Sequence, residues 1–253
     1  MSLVRRFIRA NQAFCARLEN VLPTAKGHTF RQYPVAVAEY IKREGLRRIV
    51  DVGGGKTCAF AELTPDGWDG KILSLDIAPE ELLFNHCVDL RMVSDVTQGL
   101  PVQDGALDMI TSRSVLEHLA DLEAFVVGAA RAVRPGGYFI HWVPNKFAPF
   151  AVVNAMLPNR IAKKMLHYLD PATKGICGFP VVYDRCYPAA MERVFAAHGF
   201  EVLEVRPSYF QSRYYAFFAP FFLLSTLYEG TMQFFGVRNL CAHYLIVARR
   251  TGA

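Results

Sequence analysis

Apolar residues run unbroken through Ile49-Val50 and again through Ile72-Leu73, and the two stretches end in acids, Asp51 and Asp76. Strands buried on both faces read as continuous apolar runs, so this pattern predicts two inner parallel strands one crossover apart. From Val88 to Met92 apolar and charged residues alternate into Ser94-Asp95-Val96, which predicts a third strand ending in an acid. A fourth run covers Ala106 to Thr111 and stops at Ser112, and a fifth covers Tyr138 to Val143. Gly199 turns into a sixth, through Val205, and Ala242 to Arg249 reads as the last. Helical spacing fills the gaps. Leu122, Phe125, Val126, Ala129 and Val133 share one face behind Asp121, a residue suited to cap a first turn. Arg134-Pro135-Gly136-Gly137 stops that helix and turns into the fifth strand. Near the start, Leu3, Phe7, Phe14, Leu18 and Val21 recur at helical spacing, with Arg5, Arg6, Arg9 and Arg17 mostly on other faces. A second helix runs through Glu39, Tyr40 and Ile41. Strands and helices in this order predict an α/β protein.

Acids at the carboxyl ends of parallel strands sit where open α/β sheets bind ligands. The first runs into Gly53-Gly54-Gly55, glycines that let the chain turn with positive φ and bring bare backbone against a ligand. The second is placed to take two hydrogen bonds from a ribose diol. Together they predict a nucleoside-cofactor site, for which three loop types compete. Gly55-Lys56-Thr57 resembles the end of a phosphate-binding P-loop, but Val50 stands where that loop needs its first glycine. A dinucleotide loop counted from Gly53 needs a glycine at Cys58. An acid-x-Gly-x-Gly-x-Gly loop matches at Asp51, Gly53 and Gly55, with Thr57 in place of the third glycine. The loop alone leaves the choice open.

Further pieces extend the match: Ser94-Asp95, Leu100-Pro101, Ala106-Leu107-Asp108-Met109-Ile110, Ser114-Val115-Leu116-Glu117-His118-Leu119 and Arg134-Pro135-Gly136-Gly137. With Val50-Asp51-Val52-Gly53-Gly54-Gly55 and Asp76 they cover residues 47–145 in order. Here the chain resembles the small-molecule class I S-adenosylmethionine-dependent methyltransferases, the broad group that includes the quinone-biosynthesis methylases. The resemblance implies a Rossmann-like, doubly wound sheet of about seven strands with the last antiparallel. It also implies S-adenosyl-L-methionine as cofactor. Asp51 would hold the methionine ammonium, Gly53 and Gly55 give backbone access, and Asp76 bind the ribose hydroxyls. Asp95 and Val96 would frame the adenine, and Ser112 approach the methionine end. His118, with Glu117 beside it, is the candidate base. Arg31 and Tyr33, in the segment that folds over the cofactor in this family, and Phe217 are candidate acceptor contacts. His141, inside the fifth strand, is expected to be a core histidine.

Composition narrows the rest. A hydrophobic content of 52% in 253 residues, with 20% charged, fits one domain: a helical cap at 1–46, a cofactor core at 47–145 and acceptor-side insertions with the final strands at 146–253. Cysteines 15, 58, 87, 177, 186 and 241 form no C-x-x-C pair, so neither zinc nor a disulfide framework is expected. A net charge of +5 without a Lys/Arg block argues against nucleic acid as partner. Met1 to Phe14 has no continuous apolar core and so does not read as a cleavable signal, which points to a cytoplasmic protein. Tyr214 to Tyr228 lacks charges, but it is shorter than the ~20 apolar residues a spanning helix needs, and Pro220 interrupts it. It is expected to wall the acceptor pocket or dip into a membrane surface, with the basic first helix as a possible second anchor. The expected activity is methyl transfer, at an oxygen, to a small or lipid-linked acceptor such as a glycan precursor, a quinone or another lipid. The rivals are a nicotinamide-dependent oxidoreductase and a non-catalytic binding protein with the same fold.

Overall fold

A computed structural model of the protein describes residues 3–158 and 180–252, together with 160, 164, 167 and 168. Cys177 and part of the Pro-, Gly- and aromatic-rich insertion expected between Asn145 and Tyr187 lie outside the described residues. The elements run α1 (Leu3–Glu19), α2 (Pro23–Lys26), α3 (Thr29–Glu44), β1 (Arg48–Val52), β2 (Lys71–Asp76), α4 (Pro79–Leu82), β3 (Leu90–Val93), β4 (Leu107–Arg113) and α5 (Leu122–Ala132). There follow β5 (Val133–Pro144), α6 (Pro149–Met156), α7 (Pro188–Ala197), β6 (Phe200–Ser208), α8 (Ala219–Phe234) and β7 (His243–Arg250).

These elements fall into two compact units. A sheet unit is made of residues 29–143, 182–206 and 244–253, and a helical unit of residues 1–28, 144–181 and 207–243. The division differs from a cap, a core and a tail in sequence order. α3 belongs to the sheet unit, because Tyr33, Ala36, Val37, Tyr40 and Ile41 form an apolar stripe that packs on Ile49, Ile72, Met109 and Ile140.

The sheet has seven strands in the order β3-β2-β1-β4-β5-β7-β6, with the last strand antiparallel. β1 pairs in parallel with β2 on one side and β4 on the other, so the chain winds away in both directions from the β1–β4 seam. The carboxyl end of such a seam is the crevice where α/β sheets take ligands. The inner strands are apolar because both faces are covered: Ile49 to Val52 is wholly buried. β3 lies at the edge with all four residues exposed. At the opposite end, Asp108 clasps the starts of three strands. It accepts bonds from Arg48 Nη2 at 3.0 Å, Arg134 Nε at 2.6 Å and the backbone N–H of Arg47 and Arg48. Burial would raise this carboxyl, but these donors outweigh it and hold Asp108 well below the usual carboxylate range.

Two local expectations change. Residues 134–137 are part of β5, which begins at Val133. The extra length is absorbed where the β4–β5 register jumps from Leu107↔Val133 to Met109↔Tyr138, with Gly136 at φ +76°. Pro220 begins a helix rather than interrupting one. It lies in the first turn of α8, where its missing N–H has no intrahelical partner to lose.

Candidate active site

β1 delivers Asp51, and the next residues turn at once. Gly53 takes φ +64° and Gly55 φ +49°. A Cβ on Gly53 would lie 2.3 Å from a methyl of Val115, and one on Gly54 2.1 Å from the Ser74 hydroxyl oxygen. The tightest of the three is therefore Gly54, which the sequence motif leaves unspecified. Its carbonyl accepts a bond from buried Asn85 Nδ2 at 3.2 Å. Thr57, in place of the third glycine, is exposed, so its side chain has solvent to occupy. No α-helix follows the loop; the β1–β2 connection holds only a 3-10 turn at Ala61–Leu63. A helix N-terminus to receive a pyrophosphate is therefore missing here. Lys56, the residue that suggested a P-loop, pairs with Glu81 at 3.5 Å.

Asp76 ends β2 and faces back to this loop. Its Oδ2 accepts the Gly55 N–H at 3.0 Å and its Oδ1 the Ala78 N–H at 2.9 Å. One backbone bond per oxygen orients the carboxylate and leaves a lone pair on each, the arrangement that a vicinal diol can use. Asp51 is the more perturbed acid. Burial pushes its carboxyl up to about 7, against a bond from the Cys58 thiol and the nearby Arg113 guanidinium, while Asp76 pushes it further up. A buried carboxyl at that value lacks sufficient cationic neighbours of its own, and an ammonium group would supply one. Cys58 is held in turn by its backbone N–H donating to Cys87 Sγ at 3.1 Å.

β4 contributes Ser112 and Arg113. Ser112 is buried, pairs in register with Val52, and its hydroxyl meets His141 Nδ1 at 2.6 Å. His141 is thus a core histidine bonded on one nitrogen only; Nε2 is buried without a partner, and burial lowers the ring to about 3. Arg113 lies over the Phe30 ring at 4.5 Å and, at the limit of a cation–π contact, over the Tyr33 ring at 6.0 Å. Tyr33 is buried, and its hydroxyl bonds Thr111 Oγ1 at 2.7 Å. Thr111 in turn donates to the Ile140 carbonyl, so Tyr33 is the donor. Arg31 is exposed on α3.

After β4 the backbone passes through Ser114 at φ +58°, unusual for a residue with a side chain, and enters the 3-10 turn Leu116–His118. Glu117 is buried, with Oε2 unpartnered and Oε1 3.8 Å from His118 Nε2; burial raises its carboxyl to about 8. Its backbone carbonyl accepts the N–H groups of Val182 and Tyr183 at 2.7 and 2.9 Å. His118 is half-buried. Asp95 is exposed, and its Oδ1 accepts from the Thr97 N–H at 3.0 Å, forming a tight turn beside buried Val96. The structure therefore brings Asp51, Gly53, Gly55 and Asp76 into one hydrogen-bonded loop system. Phe217, half-buried, is in the helical unit, with its ring 6.4 Å from that of Phe221. Arg113 and Asn85 were missed from sequence. The position of Arg113 right after Ser112 at a strand end was the available signal; Asn85 had none.

Residues 50–141 match the methyltransferase domain family. The sheet unit carries a class I S-adenosylmethionine-dependent methyltransferase domain. S-adenosylmethionine is its cofactor, and the side chains fit it: a paired-oxygen acceptor at Asp76, a cation-seeking acid at Asp51, and an exposed Gly53 in the turn between them. The methyltransferase domain is 28% identical over 130 residues to a probable S-adenosylmethionine-dependent methyltransferase of Mycolicibacterium smegmatis, a match covering 49% of each chain. It is 29% identical over 133 residues to a ubiquinone biosynthesis O-methyltransferase of Xanthomonas oryzae, covering 48% of this chain and 54% of that one. The chain thus spans about half the length of the curated relatives it matches. A putative sarcosine dimethylglycine methyltransferase from Galdieria sulphuraria superposes with a TM-score of 0.58 at 15% identity, covering 90% of this chain and 88% of that one. At that identity the likeness is one of fold.

Proposed function

We propose that the protein transfers the methyl group of S-adenosylmethionine to an oxygen of a small or lipid-linked acceptor. The observation that carries the proposal is the pair of acids at the ends of adjacent strands, Asp51 and Asp76, joined through the Gly53–Gly55 backbone. Asp51, ionised when a cation is beside it, holds the methionine ammonium, and Asp76 takes the ribose hydroxyls. Asp95 and Val96 frame the adenine, and Ser112, set by His141, approaches the methionine end. The sulfonium methyl is already a strong electrophile. The protein's work is therefore to align the acceptor oxygen with it and to accept the proton that the hydroxyl loses as the C–O bond forms and the C–S bond breaks. His118 is the base in this proposal. Glu117, raised to about 8, is largely protonated at neutral pH and lies 3.8 Å from the imidazole as a neutral neighbour.

An oxygen acceptor with a lipid part is supported by relatives named for ubiquinone biosynthesis and for malonyl-[acyl-carrier protein] O-methylation. Arg31 and Tyr33 are its proposed contacts, with Tyr33 acting through its ring because its hydroxyl is engaged by Thr111. The protein meets the membrane peripherally in this account; among the described residues no helix is long and apolar enough to cross one. The test is to incubate the protein with methyl-labelled cofactor and a cell lipid extract, then to identify the labelled product. An O-methylated, lipid-soluble product is expected, lost in His118→Gln. Label only in water-soluble, protein or nucleic-acid fractions contradicts the acceptor class. Cofactor binding with no turnover on any extract favours a non-catalytic binding protein.

A further inference from the structure

α8 is built inside out. At 100° per residue, Ser225 and Glu229 share the buried face with a single large apolar residue, Phe222, while Leu223, Leu224, Leu227 and Phe234 lie on the opposite one. In a helix of a water-soluble domain the apolar face is the one buried. Here Glu229 is 0% exposed, while Leu227 is 68% and Phe234 84% exposed. The inversion is pinned in place by the buried carboxylate. Glu229 accepts bonds from the Gln211 N–H at 2.9 Å, the Ser212 N–H, Thr24 Oγ1 at 3.0 Å and Ser225 Oγ at 3.3 Å. A fully bonded acid on the inner face means that the helix cannot roll its leucines inward without orphaning a buried charge.

α1 joins this surface. Asn11 Oδ1 accepts the Ala219 N–H at 2.9 Å, capping α8 from α1. The rings of Phe7 and Phe218 lie 6.4 Å apart and those of Phe218 and Phe221 5.0 Å apart, and Phe7 and Phe221 are both about half exposed. Leu3 and Phe14 stand exposed on the Phe7 face of α1, bordered by Arg6 and Arg17. The only acids on the two helices are Glu19, 3.5 Å from Arg213, and buried Glu229. Counted along the sequence, the helical unit holds twelve Lys and Arg against three Asp and Glu. That is a net +9, which leaves −4 for the sheet unit within the chain's +5.

We infer that the outer faces of α1 and α8 form a docking surface for an anionic lipid bilayer, with Leu227 and Phe234 entering the headgroup boundary and the α1 arginines meeting lipid phosphates. Exposed apolar surface of this kind requires a cover. A second copy of the chain is disfavoured, since a self-complementary interface would bring two strongly positive units together. A nucleic acid matches the charge and could stack on the phenylalanines, but it would leave Leu3, Leu223, Leu224 and Leu227, aliphatic side chains on which no base stacks, uncovered. Apolar side chains flanked by arginines are what an interfacial helix presents to anionic lipid. The inference deepens the peripheral membrane contact proposed above and does not depend on methyl transfer.

The test is sedimentation of the full chain with phosphatidylcholine vesicles, with and without phosphatidylglycerol, alongside calorimetry with S-adenosylhomocysteine. Binding should require phosphatidylglycerol and weaken with salt. Because Leu227 and Phe234 are exposed, Leu227→Ser/Phe234→Ser should fold normally and keep its S-adenosylhomocysteine affinity while vesicle partition falls about tenfold or more. Arg6→Glu/Arg17→Glu should lower it by a similar factor. No sedimentation with the anionic vesicles overturns the inference, as does unchanged partition of the leucine–phenylalanine variant. Dimerisation in solution that this variant abolishes would overturn it in favour of a second copy. Binding to a polynucleotide that it leaves intact, with no vesicle binding, would overturn it in favour of nucleic acid. Vesicle binding without S-adenosylhomocysteine binding would leave the docking surface standing and sink the methyltransferase reading.

Discussion

The two units of the chain handle apolar residues in opposite ways. In the sheet unit Phe139 is wholly buried, stacked on Phe200 with ring centroids 4.7 Å apart. In the helical unit Phe234 is 84% exposed, while an acid, Glu229, takes the place inside. The net charges follow the same division, −4 against +9. The sheet unit gathers its largest rings in a core and exposes apolar side chains such as Leu83 and Phe84 outside it, without a buried acid in exchange of the kind Glu229 makes. The other left part of its apolar surface for something outside the chain.

The sharpest way to break this comparison is to make the same change in both units. Phe139→Ala should destabilise the protein by about 3–5 kcal/mol, by removing buried atoms and leaving a cavity. Phe234→Ala should change stability by no more than about 0.5 kcal/mol. Denaturant unfolding monitored by tryptophan fluorescence measures both, and a Phe234 variant as damaged as the Phe139 variant would show that α8 is ordinary core.

Within the sheet unit, Asp76→Ala should lose about 2–4 kcal/mol of S-adenosylhomocysteine binding, or roughly 30- to 1000-fold in affinity, with the fold retained. Unchanged affinity in the folded variant would remove Asp76 from the site. Asp108→Asn separates architecture from chemistry at the other end of the strands. It should cost about 2–3 kcal/mol of stability, less than a fully buried pair because both arginines are partly exposed, and leave cofactor affinity unaltered. Since the folded Asp108 carboxyl is held below its ordinary value, its contribution is present above that ordinary value and is lost as pH falls through the folded one.

A smaller effect distinguishes the two acids of the loop. Burial raises Asp51 to about 7, so in the free protein its protonated form favours folding at low pH, and that contribution is lost as pH rises through about 7. Binding an ammonium requires the ionised form. S-adenosylhomocysteine affinity should therefore rise with pH by up to about tenfold per unit and level off above a pH of about 7. Asp51→Asn should bind more weakly and without that slope. A wild-type affinity independent of pH between 5.5 and 8, on the order of one to two units around the midpoint, would show that Asp51 does not meet the ammonium.

Much of the sheet unit was legible in the sequence because its signals are local. Ile49-Val50-Asp51 and Ile72 to Asp76 declare inner strands and their acids within a few residues, and Asp121 caps α5 through the Ala124 N–H as its position suggested. What reaches the site through tertiary placement was not legible. Asn85 holds the Gly54 carbonyl from the far side of β2, and Arg113 acts on Asp51 from a neighbouring strand. Gly54 shows a subtler limit: the motif names the glycines on either side of it, while the packing of Ser74 leaves Gly54 too without space for a methyl group. For α8 the sequence showed an uncharged apolar run but not which side chains would face outward, because Gln211, Ser212 and Thr24, brought together by folding, make burial of Glu229 tolerable.

The central claim is that the Asp51–Gly55–Asp76 system recognises S-adenosylmethionine and neither a dinucleotide nor a nucleotide triphosphate. Titration calorimetry of the full chain against S-adenosylhomocysteine, NAD and ATP tests it most directly. The account predicts saturable binding of S-adenosylhomocysteine, abolished or strongly weakened in Asp76→Ala, and no binding of NAD or ATP. Saturable binding of NAD or ATP, with none of S-adenosylhomocysteine, would contradict it.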